Sequence, residues 1–355
     1  MKIIQLAPSI SYGDAVSNDI FALDKCIKKM GYRSEIYAED IDPKLDRRAV
    51  KSLRKPYKFS NGDILLFHNS IGSQWSYKVA DFSCKKVMVY HNITPPEFFQ
   101  IYSRILVDCC ASGLDGVAYL SDKMDFCLAD SQFNKQDLVK AGYTCPIEVL
   151  PIIIPLEDYK KQPDMATVEK YSDGRKNFVF VGRISPNKKQ EDVIRAFCAY
   201  KKYYDKDARL FLVGASKGME RYKARLERYV DALGVEDVYF TGHIPFSQIL
   251  AYYRIADCFV SMSEHEGFCV PLVEAMCFDV PIVAYDAAAV GETLGGSGLL
   301  TQDKSPAVVA ALMHRAVHDE ALRAQLIAGE RERLADFAHD KIEAKFVQYM
   351  KRIMS

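Results

Sequence analysis

Short apolar runs alternate with longer amphipathic stretches along almost the whole chain, and this alternation restricts the fold more than any other feature. Lys2-Ile3-Ile4-Gln5-Leu6-Ala7, Ile64-Leu65-Leu66-Phe67-His68, Lys86-Val87-Met88-Val89-Tyr90-His91, Gly116-Val117-Ala118-Tyr119-Leu120, Phe126-Cys127-Leu128-Ala129 and Ile147-Glu148-Val149-Leu150 read as buried strands. Helical patterns lie between them, such as Ile20, Leu23, Ile27 and Met30 closed by Gly31. Buried strands alternating with helices build parallel sheets covered on both faces. Pro151, Pro155 and Pro163, with Lys160 and Lys161, interrupt the pattern as a linker over 151–164. It then restarts: Asn177-Phe178-Val179-Phe180-Val181-Gly182, Arg209-Leu210-Phe211-Leu212-Val213-Gly214 and Asp237-Val238-Tyr239-Phe240-Thr241-Gly242 are each a strand followed by glycine. Strands at 258–262 and 281–285 complete a second sheet, and helices fill about 305–353. The predicted architecture is α/β, with two doubly wound Rossmann-like domains, 1–157 and 158–339, facing a central cleft.

The chain of 355 residues has 49% hydrophobic residues and a formal net charge of zero, so it can fill two cores and carries no basic excess for nucleic acid. No run is long enough to span a membrane, and the N-terminus reads as a strand rather than a signal peptide. Ten cysteines show no CxxC pair or zinc spacing. Reduced thiols in the cytoplasm are the reading, with disulfides as the alternative.

Several constellations bear chemistry. In Ser263-Glu264-His265-Glu266-Gly267-Phe268-Cys269-Val270-Pro271-Leu272-Val273-Glu274-Ala275-Met276, Glu266 is placed in a loop and Glu274 one turn into a helix. Two carboxylates so placed can grip the hydroxyls of one polyol, while amides at the helix start favour phosphate. Val181-Gly182-Arg183-Ile184-Ser185-Pro186-Asn187-Lys188-Lys189 follows the first strand of the second sheet. Gly182 allows a tight exit, and Arg183 with Lys188 or Lys189 offers cations for a departing diphosphate, although a solvated basic loop would look the same. Gly13, after the first strand, lets backbone approach a ligand, and neighbouring Asp14 either serves that loop or caps the next helix. His91 and His68 end parallel strands, where a side chain could donate to a sugar hydroxyl or phosphate, although a lone histidine there reads as readily as a structural residue. His265, between Glu264 and Glu266, has no partner at ligand spacing, and no Asp-X-Asp pair stands after a strand in a setting fit to hold a metal–diphosphate, so the reading is metal-independent. Segment 44–58 carries Lys44, Arg47, Arg48, Lys51, Arg54, Lys55 and Lys58 against Asp46 alone. With Val50, Leu53 and Tyr57 as an apolar stripe, it reads either as a helix touching anionic membrane or as a solvated helix face.

Gly13, Gly182-Arg183 with Lys188, and Glu266-x7-Glu274 together resemble the retaining glycosyltransferases of family 4, which have the GT-B fold. The resemblance runs over nearly the whole chain, and 263–276 carries it most specifically. Ala129-Asp130-Ser131 and the segment 149–155 add to it, whereas the family's glycine after the lysine is replaced by Lys189, and its Asn-Gly by Ile152-Ile153. The resemblance implies a retaining hexosyltransferase that moves a sugar from a nucleoside diphosphate sugar, GDP- or UDP-linked with GDP-mannose favoured, and needs no cofactor. Glu266, with Gly267, Phe268, Cys269 and Val270, would hold the sugar, and Glu274 the ribose. Arg183 and Lys188 would hold the diphosphate, His243 and Ile244 would lie at the base, Gly13 near the diphosphate, and His91 near the reacting carbon. It implies a glycan or lipid-linked oligosaccharide acceptor of the bacterial polysaccharide or lipopolysaccharide type. It further implies a cytoplasmic location, peripheral at the inner face of the membrane if 44–58 acts there, and a final helix, about 340–355, that returns to the first domain. A GT-B nucleotide-sugar epimerase and a non-catalytic sugar-nucleotide-binding module are the alternatives.

Overall fold

Ile64, Leu65, Leu66, Phe67, His68 and Asn69 are all buried, so this strand has no solvent face and belongs inside a sheet covered on both sides. The computed structural model describes residues 1–46, 48–54 and 59–355. They form two compact units: Met1–Glu97 with Arg104–Pro155 and Phe337–Ser355, and Phe98–Ser103 with Leu156–Asp336.

The first unit holds seven strands: β1 (Lys2–Ile10), β2 (Arg33–Ile41), β3 (Lys51–Ser52), β4 (Ile64–Asn69), β5 (Lys85–Tyr90), β6 (Phe126–Ala129) and β7 (Ile147–Val149). They are parallel in the order β3-β2-β1-β4-β5-β6-β7. The order reverses beside β1, so the loops leaving β1 and β4 diverge and open a crevice at their carboxyl ends. Ile342, Phe346, Met350 and Ile353 of the helix His339–Met354 join Ile3, Leu66 and Val89 in this unit's core.

The second unit holds β8 (Asn177–Val181), β9 (Arg209–Val213), β10 (Val238–Gly242), β11 (Cys258–Ser261), β12 (Ile282–Tyr285) and β13 (Leu299–Thr301). These are parallel in the order β10-β9-β8-β11-β12-β13, which reverses between β8 and β11. The loops after those two strands, 182–189 and 262–269, therefore share one crevice of this sheet. The glycines ending β8 and β9 have a steric reason. A Cβ on Gly214, whose φ is +155°, would lie 1.9 Å from the Gly182 carbonyl oxygen.

Two sequence expectations are corrected. Gly116-Val117-Ala118-Tyr119-Leu120 is no strand; it finishes the helix Arg104–Tyr119. Its small residues are contact points: a Cβ on Gly113 would come within 2.8 Å of the Gly72 nitrogen, and one on Gly116 within 2.7 Å of the Ser76 Cβ. Small apolar residues that allow a close helix contact mimic a buried strand in sequence. The basic segment, where described, is not a helix either. Residues 42–46 and 48–50 run through turns and bends, and Lys51 and Ser52 pair with Tyr37 and Ala38 as edge strand β3. Val50 and Leu53 are buried in the first unit rather than offered to a membrane. Lys51 pairs with Glu35 at 3.0 Å and Arg54 with Asp40 at 3.1 Å. Arg47, Lys55, Tyr57 and Lys58 lie outside the described residues. Among the described residues, no helix is long and apolar enough to cross a membrane.

Candidate active site

In the second unit, the loop after β8 is short and tightly tied. Gly182 carries φ +150°, and a single 3-10 turn, Pro186–Lys188, leads to Lys189, whose φ of +51° turns the chain into the helix Gln190–Tyr203. Gln190, fully buried, donates to the Arg183 carbonyl at 3.0 Å and fixes the loop from below. Asn187 then bolts this loop to the one after β11: its Nδ2 donates to the His265 carbonyl at 3.0 Å, and its carbonyl accepts the Glu264 N–H at 2.9 Å.

The charges follow from that backbone. Lys188 Nζ lies 2.5 Å from both carboxylate oxygens of Glu266, which is buried. Lys189 takes Glu264 at 3.0 Å, and Lys304 bridges Glu264 at 2.8 Å and Asp192 at 3.1 Å. Burial pushes the Glu264 carboxyl up, but Lys304 and Lys189 outweigh it and hold it below the usual range. Lys188 and Lys189 are thus separated, each with its own glutamate. Arg183 is exposed at the end of β8 and, among the described residues, has no carboxylate in ion-pair contact. That leaves an exposed guanidinium on the same loop as the lysine that holds the buried Glu266.

The helix Val270–Met276 starts from Cys269, held at φ +73°, a left-handed conformation that costs a non-glycine residue about 1 kcal/mol. Gly267 and Phe268 complete the turn before it; Phe268 is buried and its carbonyl accepts from the Thr293 hydroxyl. Glu274 sits inside this helix as the spacing required, but the structure adds what the spacing could not show. Tyr159 donates to its Oε1 and Tyr253 to its Oε2, both at 2.6 Å. Tyr253 stacks on Phe278, and Tyr159 meets Phe246 and Phe278 edge-on, so both phenols are rigid. Burial raises the Glu274 carboxyl above its ordinary range, and the two phenols pull it part of the way back. An ionised carboxylate has about four acceptor positions, so two donors do not saturate it. His243 is exposed and Ile244 half-buried just beyond β10.

The first unit holds the other two sequence candidates. Gly13, φ +76° with open space around a Cβ, turns the chain out of β1, and Asp14 caps the helix Ala15–Lys29 by accepting the Ser17 N–H at 3.1 Å. The cap alternative for Asp14 therefore holds. His91 ends β5, but its ring is enclosed and both nitrogens are taken. Nδ1 faces Asp130 Oδ2 at 2.9 Å, and Nε2 faces His68 Nδ1 at 2.9 Å. His68 Nε2 in turn lies 3.0 Å from Gln5 Oε1, while Gln5 Nε2 donates to the Ile20 carbonyl at 3.0 Å. Gln5 thus accepts from His68, His68 accepts from His91, and one proton is shared between His91 and Asp130. Burial lowers His91, but Asp130 and Asp19 outweigh it and hold it above its ordinary range; burial lowers His68 well below. In this arrangement the ring braces the end of the strand within its own unit, with both nitrogens occupied.

Asp19, His68 and His91 bring ligand atoms within 4.8 Å of one another. The two imidazole nitrogens face each other across a hydrogen bond, which is a place for a proton. A second group, Cys26, His339 and Glu343, is similarly close, but Lys29 already holds Glu343 at 2.7 Å. Sequence reasoning missed Tyr159, Tyr253, Lys304 and Asp19. Tyr159 lies in a segment read as linker, and the other three carry no local motif.

Residues 162–333, just under half of the chain, match the sequence family described as Glycosyl transferases group 1. The serotype-specific mannosyltransferase WbdA of Escherichia coli is 25% identical over 272 residues, 72% of this chain and 32% of that protein. The chain spans about half or less of the length of the curated relatives it matches. Among solved structures, sucrose-phosphate synthase from Thermosynechococcus elongatus superposes with a TM-score of 0.78 at 16% identity, over 99% of both chains. HepE from Anabaena, in complex with UDP and glucose, gives 0.78 at 20% identity, also over 99% of both. At such identities the likeness is one of fold, and the fold is GT-B: two Rossmann-like domains, each built on a parallel sheet.

Proposed function

We propose that this chain is a retaining glycosyltransferase that moves a hexose from a nucleoside diphosphate sugar to an acceptor hydroxyl. The observation that carries the proposal is the arrangement at the carboxyl ends of β8 and β11. There, Lys188 fixes Glu266 at 2.5 Å, and Arg183 stands exposed on the same loop as Lys188. Cleavage of the bond between sugar and diphosphate builds negative charge on the leaving oxygens. A guanidinium held against those oxygens stabilises that charge most when it is greatest, in the transition state. Lys188 has three N–H donors, so it can orient Glu266 and still give one to phosphate. Glu266 would accept from the sugar hydroxyls and Glu274 from the ribose diol.

Retention fits a front-face route, in which the leaving phosphate takes the acceptor's proton and no enzyme carboxylate forms a bond to the sugar. The cations then fill the role of charge neutraliser, and no metal is assigned to the step. A GDP-mannose donor is the favoured member of the class, supported by the mannosyltransferase among the relatives. A UDP-linked sugar is the competitor, and the superposed HepE structure holds UDP and glucose. The acceptor proposed is a glycan or lipid-linked oligosaccharide. Contact of 44–58 with an anionic membrane now rests on charge alone, because Val50 and Leu53 are buried.

The test is nucleoside diphosphate release from a panel of GDP-, UDP- and ADP-linked sugars, with and without glycan acceptors. Acceptor-dependent release from one donor supports the proposal. A donor returned with one sugar carbon inverted, and no acceptor consumed, would instead establish the epimerase.

A further inference from the structure

We propose that Cys127 and Cys145 form a modification site, a thiol pair that a small-molecule disulfide of the glutathione class oxidises to a protein disulfide. Their sulfurs lie 3.6 Å apart, against about 2.05 Å in a bond. The backbone already holds them together. The Cys127 N–H donates to the Pro146 carbonyl at 2.8 Å, and Cys127 sits opposite Ile147 in the β6–β7 ladder. β7 is a three-residue edge strand, so the side bearing Cys145 can shift without breaking the sheet interior.

Exposure sets the order of events. Cys127 is fully buried and Cys145 half-buried, so a reagent reaches Cys145 first. Either sulfur can donate in this contact; with the more deeply buried Cys127 as donor, the hydrogen bond lowers Cys145 toward the thiolate and raises Cys127. The Cys145 thiolate attacks one sulfur of the small disulfide, forming a mixed disulfide and releasing one thiolate. Cys127 then gives up its proton to solvent and attacks the Cys145 sulfur. The protein disulfide forms, and the second small thiol leaves. Two protein thiols lose one electron each, and one small disulfide becomes two thiols. The link closes the segment that carries Asp130, the Ser131 cap and the helix Gln132–Lys140. Asp130 holds His91, and Asn134 of that helix accepts from Asn92 at 2.8 Å, so oxidation would fasten the strut at the end of β5.

The site stands on the first unit alone and does not depend on the transfer reaction. The test treats the folded full-length chain with oxidised glutathione and maps peptides by mass spectrometry. The expected result is one linked pair, 127 with 145, lighter by two hydrogens and reversed by dithiothreitol, with half-buried Cys198 unlinked as an internal control. Cys127→Ser should trap Cys145 as a stable glutathione adduct, and Cys145→Ser should leave Cys127 unreacted. If either variant fails to fold, the same order is read from wild-type alkylation, with Cys145 protected by oxidation and Cys127 silent throughout. A wild-type chain that accumulates the Cys145 adduct without resolving it, or leaves both thiols free while Cys198 is modified, overturns the proposal.

Discussion

Two phenols fix how Glu274 can act. Tyr159 and Tyr253 each donate to one of its oxygens, and a carboxylate robbed of a buried donor loses about 1–3 kcal/mol. Tyr253→Phe or Tyr159→Phe should therefore weaken nucleoside diphosphate binding roughly 5- to 150-fold, measured by calorimetry. Because the ribose lies away from the bond that breaks, KM should rise with kcat nearly unchanged. Arg183→Ala should do the reverse and lower kcat by about 100- to 1,000-fold, given the proposed action of its charge on the leaving group. Equal losses in both parameters for both variants would contradict this division. At this scale the candidate groups were legible in the sequence, but their supports were not. Glu266, Glu274, Gly182 and Arg183 follow strands at readable spacings, whereas the hydroxyls of Tyr159 and Tyr253 reach Glu274 only through tertiary packing. His91 was legible only in part. Its position at a strand end was legible, but its enclosure by His68 and Asp130 was not.

At the scale of elements, strand ends and helix docking determine the fold of the second unit. Gly214→Ala would drive a Cβ into the Gly182 carbonyl, so the ends of β8 and β9 must separate. Destabilisation on the order of 2 kcal/mol or more is expected by urea denaturation. The helix Glu320–Leu334 docks on β12 through Glu330, whose Oε1 accepts the Ile282 N–H at 3.1 Å. Burial pushes the Glu330 carboxyl up to about 8. The native state then binds more protons than the unfolded chain between the ordinary value of 4.5 and about 8, so stability falls as pH rises through that window. Glu330→Gln should flatten that slope and be the more stable protein at high pH, by an amount on the order of a few kcal/mol. Denaturation midpoints taken below and above the window check it. The elements misread from sequence share one cause. The strand expected at 116–120 and the helix expected at 44–58 each present apolar residues to a neighbour that only the folded chain supplies.

For the whole molecule, the alternation of apolar runs and amphipathic stretches was enough to yield two parallel sheets, because strands buried on both faces leave few other layer arrangements. What the alternation could not carry was the exchange of segments between units: Phe98–Ser103 joins the second, and Phe337–Ser355 the first. Exposure to GDP, UDP and ADP should raise the thermal midpoint for one diphosphate by several degrees. Glu274→Gln should reduce that rise without altering the fold, as checked by circular dichroism.

The central claim is acceptor-dependent transfer with retention, and the anomeric configuration of the product tests it most directly. The chain is incubated with an α-linked nucleoside diphosphate hexose and a glycan acceptor, and the new linkage is assigned by NMR. An α linkage formed with stoichiometric nucleoside diphosphate release, and lost in Arg183→Ala, is the expected result. A β linkage, or an untouched acceptor beside an epimerised donor, would contradict it.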